Sequence, residues 1–379
     1  MKKLRVLTIF GTRPEAVKMA PVVKQLKNHP QIESRICATA QHREMLDQVL
    51  NLFAIQPDFD LNLMQANQRL AELTASLFNA LDPVLEKVQP DWVLVQGDTT
   101  TVMAATICAY YHHLQVGHVE AGLRTFDKYA PFPEEINRRI ATVTSDLHFA
   151  PTEHNRQNLL REGVPDGHIR VTGNPVIDAL QEITRLPMPD AIRTLLAEKQ
   201  ILNGKRMLIT ITAHRRESFG APFEEICRGI GKIADYFSDR VELIYPVHLN
   251  PNVQEPVHRL LANKANVTLI EPVEYLSLVH LLMQSKLILT DSGGIQEEAA
   301  GLGKPTLVLR EVTERPEGVE AGVLKLVGTD STNIFKTTKL LLEDAAIYQK
   351  MARAVNPFGD GHAAERIVQA ILDYQHPES

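Results

Sequence analysis

Cysteine is scarce in this chain. There are three in 379 residues, Cys37, Cys108 and Cys227. They lie far apart, in no spacing that suits a metal site or a disulfide framework. Net positive charge is lacking too: 40 Lys and Arg against 46 Asp and Glu leave −6, with a pI near 6.2. That argues against a general nucleic-acid binder, though not against a local anion site. No run approaches the roughly 18 consecutive apolar residues of a membrane span. The start, MKKLRVLTIFGTRPE, is basic, but its apolar run from Val6 to Phe10 soon meets Arg13 and Glu15. It is too short for a secretory signal. Apolar residues make up 44% and charged residues 23%, a globular mix that is too apolar for disorder. The expectation is a cytoplasmic, metal-free globular protein with no nucleic-acid or membrane partner.

What is present is alternation. Runs rich in Val, Ile and Leu predict strands at Leu4–Phe10, Glu33–Thr39, Trp92–Gln96, Val116–Glu120, Asp146–Ala150 and Ile169–Thr172. Helical patterns separate them, among them Pro14–Asn28, Arg69–Val88, Thr99–His113 and Pro133–Thr144. The pattern restarts with strands at Met207–Ala213, Val241–Val247, Val267–Ile270, Leu287–Thr290, Thr306–Leu309 and Leu324–Val327. Such βαβ alternation predicts an α/β protein of two Rossmann-like, doubly wound parallel-sheet domains. At roughly 150 residues per domain, length agrees with two or three. Pro187, Pro189 and the turn dipeptide Asn203-Gly204 lie between the halves. The expected division is 1–173 and 174–361, with a last helix over 362–375 able to pack back on the first domain. Ligand is expected in a cleft at the strand carboxyl ends.

The strongest local feature runs from Leu289 to Glu298, LTDSGGIQEE. A strand enters two glycines and a helix follows at once. Unpaired N–H groups at a helix start favour a phosphate. Ser292 adds a hydroxyl, Gly293 and Gly294 allow close approach, and Glu298 suits a ribose diol. The bland alternative is a tight turn capped by Ser292. Other phosphate signatures fail: Gly229 and Gly231 lie inside a helical pattern, and Gly303-Lys304 is followed by Pro305. There is thus no signal for NAD or ATP, and no cofactor is expected. In the first half, Arg13 and Lys18 flank a similar strand–glycine–helix junction and suit an anion. Asp98, Glu120 and Glu134 gather at successive strand ends. Each has a duller role: Asp98 as a helix cap, Glu134 as a dipole complement or partner of Arg138. An acid ending a buried strand, like Glu120, is costly unless paired or functional. His214 follows one strand of the second half and His248 ends another.

At these residues the chain resembles the bacterial non-hydrolysing UDP-N-acetylglucosamine 2-epimerases. The matching segments are GTRPEAVKMAP from Gly11, AQHREMLDQ from Ala40, QGDTTT from Gln96, GHVEAGLRT from Gly117 and PFPEEINR from Pro131. TGNPVIDAL from Thr172, HRRESFG from His214, PVHLNPNV from Pro246, DSGGIQEEA from Asp291 and TERPE from Thr313 complete them. The resemblance implies the GT-B arrangement, a homodimer, and interconversion of UDP-GlcNAc and UDP-ManNAc for surface polysaccharide synthesis. C-2 of the sugar has no adjacent ketone, and no nicotinamide fingerprint is present. The expected route is therefore loss of UDP to give 2-acetamidoglucal, then its return. Acid–base work falls to Asp98, Glu120 and Glu134 with His214 assisting. Arg13, His214, Ser292, Gly293 and Gly294 take the diphosphate and Glu298 the ribose. Lys18, Arg138 and Arg315 are further ligand candidates. A second, regulatory UDP-GlcNAc would meet Gln41, His42, Arg69, Arg215 and His248. The rival expectations are a glycosyltransferase of the same fold and a catalytically silent UDP-sugar sensor.

Overall fold

The computed structural model describes residues 3–39, 43–63 and 68–374. The chain divides into two compact units, one running to Ala179 and resuming at Gly359, the other Leu180–Phe358. In the first unit the strands are β1 (Leu4–Phe10), β2 (Ile32–Ala38), β3 (Phe59–Asp60), β4 (Trp92–Gln96), β5 (Gln115–Val119), β6 (Leu147–Ala150) and β7 (Ile169–Val171). They form one parallel sheet in the order β3-β2-β1-β4-β5-β6-β7. The second unit has β8 (Met207–Thr212), β9 (Val241–Pro246), β10 (Val267–Ile270), β11 (Ser285–Thr290), β12 (Thr306–Val308) and β13 (Leu324–Leu326). Their order is β10-β9-β8-β11-β12-β13, again parallel. The α/β class and the doubly wound sheets are as expected. Central strands such as β4 and β8 are almost wholly buried, as sheets covered on both faces require.

In each sheet the first strand lies inside, and the chain winds outward first to one side and then to the other. The neighbours β1 and β4, and β8 and β11, are therefore the topological switch points, where such folds leave room for ligand beyond the strand ends. Local chemistry shapes both places. Thr12 caps the helix Arg13–Asn28 in a capping box with Glu15, and Pro14 sits in the first turn, where its missing N–H costs nothing. The helix Gly293–Gly301 starts directly after β11.

The last helix, Ala363–Asp373, belongs to the first unit. Asp178 accepts from Ala363 N (3.2 Å) and Ala364 N (2.9 Å) at its start. Ile367, Val368 and Ile371 are buried, and Tyr374 meets Trp92 edge-on with ring centroids 5.1 Å apart. Gly229 does lie inside a helix, Ala221–Tyr236. A side chain there would stand 3.1 Å from Ile334 Cβ, so this glycine serves close packing of the helix Ser331–Glu343. Strand β3 and the helices Pro175–Ile183, Ser331–Glu343 and Ala345–Ala352 were not expected. The helix after Pro189 ends at Glu198, short of the Asn203-Gly204 turn.

Candidate active site

Glu15 clasps the first switch point. Its carboxylate accepts from Gly11 N (2.8 Å), Thr12 N (2.6 Å) and Thr99 Oγ1 (2.7 Å), tying the end of β1 to the helix that follows β4. Burial pushes its pKa up, and these donors only partly offset that. Glu120 stands one strand further along the sheet. This residue follows β5 with φ +64, a left-handed conformation that is uncommon for a non-glycine residue and clusters at functional sites. Its Oε1 accepts from Lys18 Nζ and from Asn174 Nδ2 at 2.8 Å, and its Oε2 from Gln96 Nε2 at 2.5 Å. A carboxylate met by three donors, one of them cationic, has both oxygens fixed in direction. Asn174 is fixed in turn, because its Oδ1 accepts from Val176 N at 3.1 Å.

Asp98 is not the helix cap. Thr99 occupies that position and accepts from Val102 N at 3.3 Å. The Asp98 carboxylate instead receives Arg138 Nε at 2.9 Å and Nη2 at 2.7 Å, while Asn137 Nδ2 donates to its carbonyl at 2.9 Å. Arg138 also meets the fully buried Glu135 at 3.3 Å. Glu134 opens the same helix, Glu134–Thr144. Behind Asp98, His118 Nε2 lies 2.7 Å from the Gly97 carbonyl. Burial pushes His118 down to about 4, so its ring is neutral and Nε2 carries the donated proton. Arg13 begins the helix after β1 and is half-buried. The first unit therefore brings together Lys18 with Glu120, and Arg138 with Asp98.

The second switch point is organised by Asp291, which is fully buried. One of its oxygens accepts from the backbone N–H groups of His214 (2.6 Å) and Arg215 (2.7 Å). Ser292 sits at the N-cap position of Gly293–Gly301, but its hydroxyl makes no capping hydrogen bond. That removes the bland account of this serine. A side chain at Gly293 would come within 2.6 Å of Arg315 Nη1. The glycine lets this guanidinium lie against the turn, where Glu297 (2.9 Å) and Glu314 (2.7 Å) hold it. Apart from its chain neighbours and its own helix backbone, no described residue lies within 4 Å of a side chain built at Gly294. Glu298 is buried one turn into the helix. The imidazoles of His214 and His248 stack at 5.2 Å, with 9° between their planes.

Of the proposed regulatory residues, Gln41 and His42 lie outside the described residues. Arg69 precedes the helix Leu70–Val88, is exposed and donates to Glu72 at 2.8 Å. Arg215 and His248 belong to the second unit. Among the described residues no cluster of three or more His, Cys, Asp or Glu could hold a metal ion. None of the described helices is long and apolar enough to cross a membrane. Gln96, Asn174 and Asp291 escaped the sequence reading as separate candidates. Each is polar and ends or follows a strand, and that position was the available signal.

The family model for UDP-N-acetylglucosamine 2-epimerase matches residues 24–372. A UDP-N-acetylglucosamine 2-epimerase of Salmonella typhimurium is 54% identical over 374 residues, covering 98% of this chain and 99% of that protein. The crystal structure of UDP-GlcNAc 2-epimerase from Neisseria meningitidis bound to UDP-GlcNAc aligns with a TM-score of 0.90 and 49% identity, over 98% of this chain and 100% of that one. The enzyme of Methanocaldococcus jannaschii in complex with UDP-GlcNAc and UDP aligns at 0.83 and 33%, over 98% and 100%. With the family model and full-length relatives agreeing across both units, the chain belongs to the UDP-N-acetylglucosamine 2-epimerase family.

Proposed function

We propose that this protein interconverts UDP-GlcNAc and UDP-ManNAc by eliminating UDP and adding it back. The C-2 proton passes to a protein base as the C-1–oxygen bond breaks, leaving 2-acetamidoglucal and UDP. UDP then returns to C-1 while a proton is delivered to the opposite face of C-2. The observation that carries this reading is the setting of Glu120, a buried carboxylate in strained backbone with three donors fixing its direction. Protons must be handled on two faces, which calls for more than one acid–base group. Asp98 and Glu134 share that work with Glu120, and His214 assists. Lys18 and Arg138 orient the carboxylates they touch. Arg13, His214, Ser292 and the Gly293-Gly294 turn receive the charge that grows on the leaving diphosphate. Glu298 takes the ribose, and Arg315 backs the turn.

Incubation of UDP-GlcNAc alone in heavy water tests the reading. UDP-ManNAc bearing one deuterium at C-2 is expected. Epimer without label would refute the elimination route. Transfer seen only with an added acceptor would indicate a glycosyltransferase, and binding without turnover a sensor.

The same reading assigns the enzyme to the cytoplasm, in the supply of surface polysaccharide precursors, and to a homodimer. Ile136, Ile140 and Val143 recur along one face of the helix Glu134–Thr144, with Val143 86% exposed. Met103, Ile107 and Tyr110 do so on the adjacent helix Thr100–Tyr111. This apolar face supports pairing with a second copy. Regulation by a second UDP-GlcNAc at Arg69, Arg215 and His248, with Gln41 and His42, belongs to this proposal too.

A further inference from the structure

Asp291 has no part in the chemistry so far, yet it is a fully buried carboxylate that ties two strand ends together. Its Oδ2 joins the end of β8 to the end of β11 through the backbone N–H groups of His214 and Arg215. Its Oδ1 is buried and accepts no hydrogen bond from the described residues. Leaving such an oxygen without a donor is costly. His214 Nδ1 lies 3.6 Å from it. That is longer than a hydrogen bond, but sites without ligand often hold such pairs loosely and tighten them on binding. Because Oδ2 also holds the His214 backbone N–H, the carboxylate and the imidazole are kept within reach of one another.

The ring is also constrained from its face. His248 stacks on it nearly parallel. His248 Nδ1 accepts the N–H of Asn250 at 3.1 Å, so in the neutral ring the proton sits on Nε2. Two stacked imidazoles thus receive opposite instructions: an N–H aimed at Nδ1 of His248, a carboxylate aimed at Nδ1 of His214.

We infer that Asp291 is the positioning residue of His214: it holds the imidazole in the Nδ1–H tautomer and leaves Nε2 as the working nitrogen. A buried carboxylate behind a histidine fixes tautomer and orientation, and stabilises the ring whenever Nε2 gains a proton, while itself remaining ionised. The inference rests on the assignment of His214 to the leaving diphosphate, but its first test does not depend on turnover.

That test is nitrogen NMR of the full-length protein labelled with [15N]histidine, at a pH where both rings are neutral. His214→Gln and His248→Gln assign the two signals. The native protein is expected to show His214 protonated at Nδ1 and His248 protonated at Nε2 in the same spectrum. In Asp291→Asn the amide oxygen can still accept both backbone N–H groups, but an N–H₂ now faces His214. Its tautomer is expected to switch to Nε2–H, with kcat for UDP-GlcNAc falling about 10²-fold or more and KM changing little. His214 found as Nε2–H in the native protein overturns the inference, as does a tautomer unmoved in Asp291→Asn. Should that variant not fold, the native spectrum alone decides. A native protein with the expected tautomers but no epimerase activity would overturn the proposed function and leave the role of Asp291 standing.

Discussion

His118 and His148 face each other in register on β5 and β6, both buried. Burial pushes His118 down to about 4 and His148 down to about 3, the latter helped by the nearness of His118. Both start from an ordinary value of 6.5. Across the interval below 6.5 the unfolded chain binds protons that the folded unit refuses. Stability therefore rises with pH through this window and is withdrawn as pH falls, until the loss saturates near each folded value. Each unit crossed costs about 1.4 kcal/mol per group. From pH 6.5, where the unfolded histidine is half protonated, to about pH 4.5, His148 alone costs roughly 2 kcal/mol and His118 a similar amount. Typical domains have only about 5–15 kcal/mol in total.

Glu15 acts in the opposite sense. Its folded value is raised, so its contribution is fully present at low pH and is lost as pH rises through that value. Bulk acid titration would mix the two signs. The difference between wild type and His148→Phe isolates one histidine, because phenylalanine keeps most of the buried volume without titrating. Trp92 is the single tryptophan and sits buried in β4 of the same sheet, so its emission follows this unit. Urea unfolding at pH 6.5 and at about pH 4.5 should show wild type losing about 2 kcal/mol more than the variant. Equal losses in the two proteins would refute the argument.

Four further outcomes follow from the site. Gln96→Met removes one donor to the Glu120 carboxylate at nearly constant volume, and kcat should fall about 10- to 100-fold, since a hydrogen bond to a charged group is worth about 1.5–3 kcal/mol. Glu298→Ala should weaken UDP binding by a similar factor, whereas Glu120→Gln should keep UDP binding and lose turnover; calorimetry beside initial rates separates them, and the reverse pattern would show the roles exchanged. Val143→Glu places a charge on the apolar helix face and should move sedimentation from dimer to monomer, and an unchanged dimer would relocate the interface. His248→Ala should flatten a sigmoidal response to UDP-GlcNAc while UDP still binds, and hyperbolic wild-type kinetics in both directions would dispose of the regulatory site.

Why some of this was legible in the sequence and some was not follows from the range of each signal. Buried parallel strands read as continuous apolar runs, so β1, β4 and β10 emerge with their observed limits, whereas the two residues of β3 are too few to show any period. The junctions after β1 and β11 are equally local: glycine, a capping residue and a helix start are adjacent in the chain. What locality cannot supply is which strand end faces which. Asp98 read equally well as a helix cap, and only its bond to Arg138, forty residues on, separates the two accounts. Gln96, Asn174 and Asp291 look like ordinary polar residues at strand ends until the sheet order sets them beside their partners, 24, 54 and 77 residues away. A doubly wound sheet puts strands distant in sequence side by side at its switch points. The residues that hold the candidate acids and the histidine in place are for that reason the ones that local pattern hides, and they are where substitutions should next be made.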